Sequence, residues 1–122
     1  MSKPKTKIGA IVRQGDMVFM KVDSSELTNS KSVEKLTVGL GEVSGHSHEV
    51  AVTDEAEIVE FAENEEAFGN ATRDKIIFQV KNGVATVTHE EHNPITLDEG
   101  FWVRINQVNY DPFRDELEKV RD

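Results

Sequence analysis

No cysteine occurs in this chain of 122 residues, and that absence excludes disulfides, thiolate nucleophiles and cysteine–zinc knuckles together. Nor is there an apolar run near the roughly 20 residues that span a bilayer. The lysine-bearing start, MSKPKTKIGAIVRQGD, lacks the apolar core and cleavage pattern of a secretory signal. The reading is a cytoplasmic protein with no membrane partner. Basic residues are scarce, 14 Lys and Arg against 23 Asp and Glu, for a net charge of −9. Nonspecific nucleic-acid binding needs clustered cations to displace counterions, so nucleic acid is not an expected partner. A homo-oligomer or a protein partner stays open. The length suits one domain, residues 1–122, with one hydrophobic core.

The acidic residues concentrate in DEAEIVEFAENEEAF, residues 54–68, a run without Lys or Arg. A solvated face is the first reading of such a run, with cation attraction and mimicry of nucleic-acid charge as alternatives. The rest of the chain is punctuated like a β-protein. IGAIVRQ and MVFMKV flank Gly15-Asp16, a two-residue hairpin turn with glycine first. DSSELTNSKSVE, residues 23–34, is polar and serine-rich and reads as a loop. LTVGL and HSHEVAVT read as strands, AEIVEFA as a strand by its shortness, although Ile58, Phe61 and Ala62 also fit a helix face, and ENEEAFGNATRD as an irregular excursion with one helical turn. KIIFQVKNGVATVTH carries Asn82-Gly83 between two alternating β-branched runs, the strongest short-range hairpin signal. NPITL and FWVRINQVNY form another pair around Asp98-Glu99-Gly100. DPFRDELEKVRD reads as a short helix, with Asp111 as cap, Pro112 in the first turn, and Phe113, Leu117 and Val120 on one face. The expected fold is all-β, a small cupin-like or jelly-roll-like barrel or sandwich of about seven to nine strands with that C-terminal helix.

Four histidines fall in two short segments, GEVSGHSHEV and THEEHNPITLDEG. His46, His48, Val50 and Val52 share a strand face, because side chains two apart point the same way. If Asn82-Gly83 closes a hairpin, Ile76 opposes His89, which places His89 at the end of a row with Phe78, Val80, Ala85 and Val87. Both rows run from imidazole into aliphatic residues, so both put histidine at one end of a buried face. His92 is three residues from His89 and reaches it only if the chain bends at EEHNP. Imidazole is a common ligand for zinc, iron and nickel, and His46, His48, His89 and His92 are the candidate ligands of a divalent transition metal. Glu42, Glu90 and Glu91 are candidates to complete or orient that shell, whereas Glu49 faces away from His48. Set against this, a histidine at a strand end often does no more than bond a backbone carbonyl. No catalytic role is assigned.

Other motifs fit poorly. Gly39, Gly41 and Gly45 are followed by a strand, so they offer no helix N-terminus to a phosphate; they suit a bulge or tight turn that aims the histidines. Ser44 and Ser47 lack an acid partner or nucleophile elbow. Trp102 and Tyr110 read as a secondary cluster beneath the terminal helix. The ordered set RQGDMVFMKV, LGEVSGHSHEV and THEEHNPITLDEGFWVRINQVNYDP resembles a group of small, uncharacterised proteins of bacteria and their phages. These pair a G-E-x-x-G-H-x-H segment with an H-x-E-H-x-P-I segment. Here the resemblance falls on Gly41, Glu42, Gly45, His46, His48, His89, Glu91, His92, Pro94, Gly100, Gln107 and Tyr110. It implies that the two histidine segments belong together, and it supplies no activity. The leading reading is a metal-binding β-protein. The alternative is a non-enzymatic structural or interaction module whose histidines are ordinary core residues.

Overall fold

Alternation of apolar and polar residues along short strands makes each strand bury one face, and two such faces must meet. The computed structural model describes residues 7–15, 17–40, 47–52, 55–89 and 92–106. Among these, ten strands form two antiparallel sheets: β1 (Ile11–Gln14), β2 (Met17–Val22), β3 (Asn29–Val33), β4 (Lys35–Leu40), β5 (Ser47–Val52), β6 (Glu57–Ala62), β7 (Lys75–Lys81), β8 (Ala85–His89), β9 (His92–Leu97) and β10 (Gly100–Asn106). One sheet has six strands in the order β1-β2-β10-β7-β6-β3, and the other has four in the order β4-β5-β8-β9. The sheets are stacked as a sandwich and do not close into a barrel. The helix expected within 111–122 lies outside the described residues. Among the described residues, no helix is long and apolar enough to cross a membrane.

The core is the meeting of the two inner faces. Phe19, Ile58, Ile76, Phe78, Val80 and Trp102 come from the larger sheet, and Leu36, Val38, Val50, Ala85, Val87 and Leu97 from the smaller. Burial alternates strictly along β6 and β7, as period-two patterning demands. Phe19 and Phe78 meet edge to face, 6.3 Å apart, in the geometry aromatic quadrupoles favour. Trp102 is 1% exposed and belongs to this main core, not to a secondary cluster; its indole donates to the Asp98 carbonyl.

Two expected hairpins are corrected. Strand β7 pairs with β6 and β10, whereas β8 pairs with β5 and β9, so the chain crosses from one sheet to the other at Asn82-Gly83. Both residues take positive φ, 61° and 150°, as the dipeptide suggested. Yet Ile76 does not oppose His89. The apolar rows Ile76, Phe78, Val80 and Ala85, Val87 satisfy each other face to face across the core rather than side by side in one sheet. The β9–β10 connection behaves the same way. The loop expected over 23–34 also contains strand β3, an exposed edge paired with β6, whose polarity suits a strand with little to bury.

The acidic run proves to be only partly a solvated face. Glu60 is 1% exposed, bridges Arg73 at 2.8 Å and accepts from the Gly69 amide. Arg104, fully buried on β10, donates to the carbonyls of Ala71, Arg73 and Asp74. These two side chains hold the 63–74 excursion, with its expected single helical turn at Glu65–Ala67, against the end of the sheet. Burial, reinforced by Arg73 and opposed by Asp74, lowers the Arg104 pKa from its ordinary value to about 10, and the group stays charged at neutral pH. Replacing Arg104 by Met removes its three hydrogen bonds and leaves the carbonyls of Ala71, Arg73 and Asp74 without that buried partner. The expected loss is about 3 kcal/mol by chemical denaturation, with faster hydrogen exchange at 69–74.

Candidate functional site

The register of the smaller sheet brings three histidines together. Strand β5 pairs with β8 through Glu49↔Thr88 and Val50↔Val87, and one step further along this register sets His48 opposite His89. Strand β8 pairs with β9 through Val87↔Ile95 and then His89↔His92, with a register shift between the two pairs. That shift takes up one extra residue on β9, beside Pro94. Proline has no N–H for a ladder and is tolerated on an edge strand at a bulge, which is where Pro94 stands. Without the bulge, His92 would lie on the opposite face from His89. The spacing of three therefore resolves as the bend the sequence called for.

The ring centroids of His48 and His89 are 4.3 Å apart, those of His89 and His92 4.8 Å, and those of His48 and His92 6.0 Å. The rings are inclined to one another by 28°, 39° and 14°, so they stack rather than aim at a common point. Exposure rises along the series: His48 is 3% exposed, His89 half-buried and His92 open to solvent. Among the described residues, no group of three or more His, Asp or Glu is arranged to hold a metal ion. His46, Glu42, Glu90 and Glu91 lie outside the described residues. Glu49 stands on the opposite face, as expected, 3.7 Å from Lys35.

Two residues that sequence reasoning did not assign to the histidine cluster, Gln14 and Gly15, lie against it. Gln14, at the end of β1, is 4% exposed and reaches across from the larger sheet. Its Nε2 donates to the carbonyls of Val87 and Asn93, each at 2.9 Å, and its Oε1 lies 2.8 Å from His48 Nδ1. The signal was present: Val12 packs against the core, so Gln14, two residues on, shares its inward face. Gly15 follows in the left-handed region at φ 58° in the β1–β2 turn. A Cβ built there would lie 2.6 Å from His92 Nε2, so the turn closes on the ring with no room for a side chain. Gly39 also sits at a register shift, between β4 and β5, opposite His48; this bears out a bulge for that glycine, while Gly41 and Gly45 lie outside the described residues.

The chain belongs to a family defined by a domain of unknown function (DUF8820), whose model matches residues 13–107. That span contains Gln14, Gly15 and all four histidines. No curated protein and no solved structure matches the chain.

Gly15→Ala tests whether the turn and the ring are in contact. Left-handed backbone costs an L-residue about 1–2 kcal/mol, and the added methyl must displace His92. The expected result is a destabilisation of at least that size by chemical denaturation, with the His92 ring resonances moving more than those of His48.

Proposed function

We propose that the protein binds a divalent transition metal ion, zinc, iron or nickel, through His48, His89 and His92, with His46 as the fourth imidazole. The observation that carries this reading is the gathering of three imidazoles from three adjacent strands at one end of the sandwich. Imidazole nitrogens lie about 2.0–2.1 Å from zinc in a tetrahedral shell, which sets the ring centres roughly 5 Å apart. The three centroid distances, 4.3, 4.8 and 6.0 Å, straddle that value. Loading requires the rings to turn from stacked to convergent. The turn is about χ2, a broad sp³–sp² torsion in histidine. Glu42, Glu90 and Glu91 are the carboxylates close enough in sequence to orient the shell. Four protein ligands close a tetrahedral site and make it structural; three leave a position for water and for chemistry.

The stacking of the rings favours a second reading. In it the protein is a non-enzymatic structural or interaction module of a phage or bacterium, and the histidines are packed polar residues bonded to their neighbours. The two readings diverge under a chelator. Protein purified without a histidine tag is expected to take up about one ion per chain on titration with zinc, and its Tm is expected to rise on loading and fall with a chelator. His48→Gln combined with His89→Gln is expected to abolish the uptake. Metal content below about 0.3 ion per chain, unchanged by added zinc, nickel or iron(II), together with a Tm insensitive to chelators, sinks the metal reading and leaves the module.

A further inference from the structure

We infer that Gln14 is the positioning residue of the histidine cluster, holding His48 in its Nδ1–H tautomer so that Nε2 carries the lone pair His48 offers. The use of that lone pair for a metal rests on the reading above; the tautomer rests on hydrogen-bond geometry alone. Gln14 Nε2 faces two backbone carbonyl oxygens, those of Val87 and Asn93, each at 2.9 Å. An amide nitrogen has two hydrogens to donate and a carbonyl oxygen only accepts, so both are used. Turning the amide over would set its oxygen against two carbonyl oxygens in a site that is 4% exposed. The network therefore fixes the orientation of the amide. Its Oε1 can only accept, and it lies 2.8 Å from His48 Nδ1. Nδ1 must then carry the hydrogen, and in the neutral ring Nε2 carries the lone pair. Free neutral histidine in water favours the opposite tautomer, so the protein imposes this one.

The placement of Gln14 gives the tautomer a function. A histidine that ligates a metal usually donates its other N–H to a carbonyl, carboxylate or water, and this partner sets ring orientation and ligand strength. Here the partner is a side-chain amide oxygen, held by two strands of the sheet that carries the histidines. Val87 lies two residues before His89, and Asn93 immediately follows His92. One amide therefore fixes the ring of His48 and the strand positions from which the other two imidazoles project. Because β1 belongs to the opposite sheet, the site is set only when the two sheets are docked.

The experiment is long-range ¹H–¹⁵N NMR on metal-free, ¹⁵N-labelled protein, which reads the protonation of each imidazole nitrogen. Wild-type His48 is expected to show a protonated Nδ1 and an unprotonated Nε2. Gln14→Leu is expected to shift His48 toward the Nε2–H form and to weaken zinc binding about 10–100-fold. The wild-type spectrum decides the matter even if Gln14→Leu fails to fold. An Nε2–H tautomer in the wild type overturns the inference, whatever zinc does. So does an Nδ1–H tautomer that persists in folded Gln14→Leu. If zinc fails to bind while the tautomer is as stated and depends on Gln14, the positioning role stands and the metal reading alone falls.

Discussion

The hydrogen bonds of Gln14 join what would otherwise be two separate sheets at their polar end. Elsewhere the sandwich is held by apolar contact, which is strong but non-directional and would tolerate a small slide of one sheet over the other. At the histidine end, contact is replaced by three directional bonds from one amide, two to strand carbonyls and one to a ring. Directional bonds in a buried site fix position, because losing one leaves a polar group without its partner. The stacking of the three imidazoles, the seating of His92 against Gly15 and the bulge beside Pro94 all presuppose that position.

Among the described residues, buried polarity is dealt with in three places, each by a different device. Lys21, 4% exposed, is matched by Asp98 at 2.6 Å and lies over the Trp102 ring. Glu60 and Arg104 are matched by the excursion they hold. These two arrangements are charge-balanced and tie loops to the sheets. The histidine end differs. It gathers three imidazoles from three adjacent strands, graded from buried to exposed. That concentration of imidazoles distinguishes the cluster from the other two.

Much of the arrangement was legible from alternation. Period-two rows correctly assigned the inward faces of β5, β7 and β8, and the rule that residues two apart share a face placed His48 and His89 at the end of apolar rows. The pairing of those rows was not legible. Asn82-Gly83 supplies two positive φ values, and such a turn serves a hairpin and a crossover between stacked sheets equally well. The choice was made by distant strands: β5 and β9 claimed β8, while β6 and β10 claimed β7. Local sequence cannot encode that competition. The bulge at β9 likewise decided the face of His92, and only the proline hinted at it. Strand β3 escaped notice because an exposed edge strand needs no apolar pattern. Glu60, Lys21 and Arg104 lay at inward positions by parity, and their charge overrode a placement that the pattern had already given.

The central claim is that the imidazoles at this end of the sandwich turn from stacking to ligation when metal is supplied. X-ray absorption at the zinc K-edge of the loaded, untagged protein measures this most directly. The account predicts three or four nitrogen scatterers at about 2.0 Å with the multiple-scattering pattern of imidazole. A first shell of oxygen alone, or no more than one imidazole per zinc, would contradict it.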